Sequence, residues 1–140
     1  MLKSKYFKIE ELVDKATFEK FGENAWWMIS EKAIIMLDNF REFIGRPVIV
    51  NNWKTGGQYQ YSGFRPRNCE TGAEYSQHRF GRAFDIKITG MTSQEIYKKI
   101  LENKEHPLLK NITAIEDISL TPTWVHIDCR NCDRIMIVKI

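Results

Sequence analysis

Cysteine and histidine are scarce in this 140-residue sequence, at three residues each, and neither a long apolar run nor a block of like charge occurs. Each shortage excludes something. Cys69, Cys129 and Cys132 cannot all pair within one chain, so no disulfide framework is expected and synthesis in a reducing compartment is. No stretch approaches the ~20 apolar residues that a membrane-spanning helix needs, so no membrane partner is expected. The opening residues MLKSKYFKIEELVDK carry no apolar h-region and no small-residue cleavage site, which predicts a soluble protein made in the cytoplasm without a signal peptide. A formal charge of +3 suits an anionic polymer as partner but falls short of the basic stripe of a nucleic-acid binder, so no nucleic acid is expected.

What is present reads as one domain over residues 1–140. The hydrophobic share of 43% and the charged share of 28% are close to globular averages, and splitting the chain would leave two marginal cores. From Phe7 to Leu12 the pattern is that of a short helix, and Gly22 interrupts the segment beyond it. A longer helix runs from an N-cap at Ser30, through Ala33, Ile34, Leu37, Phe40 and Ile44 on one face, to Gly45. Pro47–Val50 is short and β-branched and reads as a strand. Residues 51–80 are rich in Gly, Asn, Ser, Thr, Arg and Tyr and poor in aliphatics, the composition of a long functional loop. Within the loop, Trp53, Tyr59 and Tyr61 are candidates for a substrate wall.

After the loop, Ala83 to Ile88 alternates, with Phe84, Ile86 and Ile88 on one face and Ala83, Asp85 and Lys87 on the other. Thr92 and Glu95 form a capping-box pattern ahead of Ile96, Ile100 and Leu101. Residues 111–118, 124–129 and 135–140 supply three more strands. Helices followed by a mostly antiparallel sheet predict an α+β domain.

Two of the three histidines fall in the most structured contexts, His78 at the end of the polar loop and His126 in a strand. Gly81 can turn the chain between His78 and Asp85, and His126 on another strand then closes a triangle. Two imidazoles and one carboxylate suit zinc, one ion per chain, and three protein ligands leave a fourth position open, as catalytic sites do. Taken singly, each of these residues is more often a loop cap, a satisfied buried histidine or an ion-pair partner of Arg82 or Arg130. Their combination carries the metal reading. Asp128 lies two residues past His126, on the same strand face, where a carboxylate can orient a ligand imidazole. Cys129 and Cys132 form a lone C-x-x-C, read as two ordinary thiols in a turn, and His106 is read as a loop residue.

Ser76-Gln-His78-Arg-Phe-Gly81-Arg-Ala83-Phe-Asp85 resembles the S-x-H-x-x-G-x-A-x-D signature of the D-alanyl-D-alanine carboxypeptidase and L-alanyl-D-glutamate endolysin peptidases, whose fold is shared with the Hedgehog signalling domain. Trp124-Val-His126 is similar to the second half of that signature, and Ser62-Gly-Phe-Arg65 to an upstream S-G-[YF]-R segment. The region from Phe21-Gly22 to Ile44, followed by Asn51-Asn-Trp-Lys-Thr-Gly-Gly57, looks like bacteriophage-encoded members. The resemblance implies His78, Asp85 and His126 as zinc ligands, Arg65 and Ser76 as substrate-binding residues, and hydrolysis of peptidoglycan stem or cross-bridge peptides at the cell wall. The protein would reach the wall by holin-type release or as a virion component. The family's acid, three residues before the last histidine, is replaced by Thr123. Glu116 is then the expected general base, with Asp117 as the alternative on the opposite strand face. The competing expectation is a zinc-containing binding or virion structural module that keeps the metal without the chemistry.

Overall fold

The computed structural model describes residues 1–139. Three helices, α1 (Lys15–Phe21), α2 (Glu31–Ile44) and α3 (Ser93–Glu102), accompany four strands, β1 (Ala83–Ile86), β2 (Ala114–Glu116), β3 (Val125–Asp128) and β4 (Met136–Val138). The strands form one sheet in the order β1-β3-β2-β4. The β1–β3 and β3–β2 pairs are antiparallel and the β2–β4 pair is parallel, so the sheet is mixed. The α+β class stands.

Local chemistry accounts for the helices. Asp14 caps α1, its carboxylate accepting from the Thr17 amide at 3.1 Å. The sequence pattern stops short of α1 and puts its helix at Phe7–Leu12, where the structure has only a 3-10 turn at Ile9–Glu11. Residue Ser30 occupies the N-cap of α2 without a side-chain capping bond, and Gly45 ends the helix in the left-handed conformation. At α3 the Thr92 side chain accepts from the Glu95 amide as the capping pattern requires. Of the adjacent pair Trp26 and Trp27, the first is buried and the second exposed.

One face of the sheet makes the core. Phe84, Ile86, Ile115, Val125 and Ile127 meet Ile34, Leu37 and Phe40 of α2 and Ile96 and Ile100 of α3, all buried. Truncating one of these phenylalanines to alanine costs about 3–5 kcal/mol in such an environment.

Three strand expectations need correction. Pro47–Val50 forms no strand: a single bridge joins Ile49 to Lys87, with Ile49 N donating to Lys87 O at 2.8 Å and Lys87 N to Ile49 O at 3.0 Å. The strand expected over 111–118 pairs only at Ala114–Glu116, and that over 135–140 only at Met136–Val138, with Ile140 outside the described residues. Pairing is lost where the chain has to turn: Leu120 N donates to Asp117 O at 2.9 Å and closes a turn immediately after β2.

Strand alternation then puts the polar set on the face away from this core. Asp85 stands directly opposite His126 in the β1–β3 register, and Ala83 opposite Asp128. The loop of residues 51–80 lies over that face, pinned to β1 where Asp85 N donates to Ser62 O at 2.7 Å and closed on itself where Arg65 N donates to His78 O at 3.2 Å. Arg79 fastens the loop internally, its guanidinium donating to the carbonyls of Pro66, Arg67, Cys69 and Ala73.

Candidate metal centre

His78 sits in a 3-10 turn, Gln77–Phe80, whose N-cap Ser76 accepts from the His78 amide at 3.3 Å. Gly81 ends that turn at φ 67°, and a Cβ there would collide with the Met28 carbonyl, so the turn into β1 tolerates no side chain. The turn aims His78 at the exit of β1, where Asp85 projects, and β3 supplies His126 from across the ladder.

The three donor atoms are mutually equidistant. His78 Nε2 lies 3.2 Å from Asp85 Oδ1 and 3.2 Å from His126 Nδ1, and His126 Nδ1 lies 3.1 Å from Asp85 Oδ1. A tetrahedral site with bonds of ~2.0–2.1 Å has ligand–ligand edges of about 3.3–3.4 Å, so this triangle is one face of such a site with little adjustment. All three residues are buried, and together they form a group able to hold a metal ion.

Proton bookkeeping points the same way. The far nitrogen of each ring meets only an acceptor: His78 Nδ1 donates to Gly63 O at 2.8 Å, and His126 Nε2 to Asp128 Oδ2 at 2.8 Å. With those nitrogens protonated, the neutral rings present lone pairs to each other and to the Asp85 carboxylate. Three acceptors aimed at one point repel unless a cation or an extra proton sits among them. Without metal the proton goes to His126. Burial pushes its imidazolium down, but the hydrogen bonds to Asp128 and Asp85 outweigh this and push it up to about 9. Burial dominates at His78 and lowers it. Asp85 lies well below the usual carboxylate range, because the two imidazoles overcome its burial.

Asp128 is fully buried and held from behind. Arg130 donates to it through Nε at 2.8 Å, through Nη2 at 2.5 Å and through its amide at 3.1 Å. Those bonds bring the carboxyl down to about 2 against its burial. Asp128 thus pairs with Arg130 and also accepts from His126 Nε2.

Around the triad is a cleft of about 480 Å³ whose walls include Arg65, Ser76, Glu116, Trp124 and Arg130. Glu116 Oε1 stands 3.7 Å from His126 Nδ1 with about a third of its side chain exposed, 34%, beside the compact donor trio and outside it. Asp117 points elsewhere and accepts from Ser119 through both its amide and its hydroxyl. The two acids diverge where β2 ends, Glu116 being its last residue and Asp117 opening the turn that follows.

Arg65 is buried, and its guanidinium is largely committed. Nε donates to Tyr61 O at 2.8 Å and Nη2 to Asp85 Oδ2 at 3.1 Å, while Nη1 lies against Gly72 in the cleft wall. The arginine therefore holds the second oxygen of the Asp85 carboxylate while still lining the cleft. Tyr59 and Tyr61 line an adjoining cavity, but Trp53 does not: its Nε1 donates to Val13 O at 2.9 Å and its ring packs on Phe18. Lys87 also lines that cavity and is a residue that sequence reasoning misses, although its position two residues after Asp85 on the same strand face is the signal. Burial brings its ammonium down to about 8. Cys129 and Cys132 are free thiols, and His106 is an exposed residue at the head of a 3-10 turn.

Comparisons with protein-family models, with curated proteins and with solved structures returned no match. Among the described residues no helix is long and apolar enough to cross a membrane.

Proposed function

We propose that the protein is a zinc-dependent peptidase acting on peptidoglycan stem or cross-bridge peptides. The observation that carries this reading is the convergence of His78 Nε2, Asp85 Oδ1 and His126 Nδ1 in a cleft, with the Glu116 carboxylate beside them but not among them. Two histidines and a carboxylate with a free side form a catalytic rather than a closed structural donor set. The peptidoglycan assignment rests on the Ser76–Asp85 and Trp124–His126 patterns of the sequence.

Zinc, when bound, supplies Lewis acidity that lowers the pKa of water and polarises a carbonyl. The chain's own residues do the rest. Glu116, about a third exposed in the cleft, takes a proton from the attacking water and returns it to the leaving amine. Asp128, fixed by Arg130, keeps the His126 proton on Nε2 so that Nδ1 faces inward. Arg65 fixes the rotamer of Asp85, and the loop pinned by Arg79 walls the cleft.

Incubation of zinc-loaded protein with purified muropeptides, with the products read by mass spectrometry, tests the proposal: new amine and carboxyl termini at a peptide bond are expected, and their loss on chelation. A second reading has its own support. Thr123, exposed three residues before His126, cannot accept a proton, which favours a zinc-stabilised binding or virion module without turnover. Stoichiometric zinc with no cleavage of any muropeptide selects it.

A further inference from the structure

The metal cleft has a second lobe. A cavity of about 260 Å³ adjoins it and shares Arg65, Thr71, Asp85 and Trp124 with it, so Asp85 and Arg65 form part of the wall of both spaces. The walls of this lobe include Tyr59, Tyr61, Ser62, Thr123 and Lys87.

Lys87 is the unusual member. Its Nζ donates to Ser62 Oγ and to the Asp85 carbonyl, both at 3.2 Å, and lies 4.2 Å from the centre of the Tyr59 ring. All three contacts are neutral. Among the described residues no carboxylate pairs with it, since Asp85 turns one oxygen to Arg65 and the other to the two histidines. A half-buried cation whose direct contacts are dipoles and a π face, with the nearby Asp85 carboxylate committed elsewhere, keeps charge available for an incoming anion. Arg65, by contrast, has spent its charge on Asp85.

We propose that this lobe is a carboxylate-binding subsite of the same cleft, in which Lys87 Nζ ion-pairs with a carboxylate on the substrate residue next to the scissile bond while Tyr59 and Tyr61 wall that residue's backbone. The inference rests on the peptidase reading for its substrate. One ammonium in a residue-sized space suits a single carboxylate, whereas a phosphate calls for a nest of backbone donors or several cations. Lys87 thus acts as a specificity residue, separate from the groups that hold metal or move protons.

The test uses two synthetic stem peptides, identical except that the carboxylate flanking the scissile bond is a primary amide in one. Calorimetric binding to zinc-loaded full-length protein in a Glu116→Gln background keeps turnover from intruding. The acid peptide should bind at least about tenfold more tightly than the amide, Lys87→Met should erase that difference while still taking up one zinc per chain, and Lys87→Arg should restore part of it. Equal binding of the two peptides by protein that retains Lys87 overturns the subsite, and that comparison decides even if Lys87→Met fails to fold. Equal weakening of both peptides by Lys87→Met overturns it too. Discrimination that persists in protein cleaving neither peptide supports the subsite and refutes the peptidase reading alone.

Discussion

His126 and Asp128, two residues apart on one strand face, are joined by a 2.8 Å hydrogen bond from the ring Nε2 to a carboxylate with no solvent exposure. The bond sets which ring nitrogen carries the proton and therefore which one can bind metal. Asp128→Asn keeps the shape but gives up the charge that raises the basicity of the ring. Zinc affinity should fall about 10- to 100-fold with the fold intact, as measured by competition with a chromophoric chelator. An unchanged affinity would leave Asp128 a purely structural partner of Arg130.

Acid–base linkage gives a second prediction. His126 has a folded-state pKa raised to about 9 from the ordinary 6.5, so its contribution to the stability of metal-free protein is full below pH 6.5 and is lost as pH rises through 9. Asp128, depressed to about 2, contributes above pH 3.8 and loses that contribution as pH falls through 2. Chelator-treated protein should therefore melt at progressively lower temperature from pH 6.5 to about 8, above which Lys87, whose ammonium is brought down to about 8, contributes the opposite slope. Zinc must displace the His126 proton, so its stabilising effect should grow over the same interval. Melting curves at fixed ionic strength, with and without zinc, check both slopes, and a metal-free melting temperature that climbs over this range contradicts the proton placement.

The two neighbouring acids separate cleanly by experiment. Glu116→Gln should leave the fold and the zinc in place and reduce turnover by about a hundredfold or more, whereas Asp117→Asn, which touches only the Ser119 turn, should do little. Steady-state rates on one muropeptide compare them directly. The reverse order would make Asp117 the base and require β2 to be shifted by one residue.

Gly81→Ala puts a methyl group against the Met28 carbonyl at a positive φ. The left-handed conformation alone costs about 1–2 kcal/mol, and the collision adds to it. A lowered urea midpoint with an unchanged m-value is expected, together with weaker zinc binding, because the same turn carries His78. Alanine tolerated without loss at this position would mean that the turn can relax.

Much of the site is legible in the sequence because strand alternation is a rigid rule. Once 83–88 and 124–129 are strands, Asp85, His126 and Asp128 have to leave the core face. The gaps arise where local pattern gives no depth. Pro47–Val50 has strand residues but a neighbour that offers one bridge, so propensity is overridden by what lies beside it. Seven residues make α1, too few for periodicity to speak, although Asp14 and Thr17 mark its start. The commitment of Arg65 to Asp85 depends on how a loop without regular structure folds back on a strand, which no spacing in the sequence encodes. Lys87 escapes notice for the opposite reason, because a lysine on a strand is ordinarily solvated and only the closure of Tyr59 over it makes it unusual.

The metal centre itself is tested most directly by zinc-edge X-ray absorption on protein reconstituted with one equivalent of zinc. The expected first shell contains only nitrogen and oxygen at about 2.0–2.1 Å, with the outer-shell scattering of two imidazoles, and the spectrum should lose one imidazole in His126→Ala. A sulfur shell at about 2.3 Å would place the metal on Cys129 and Cys132 instead, and failure of the protein to retain zinc at all would contradict the account.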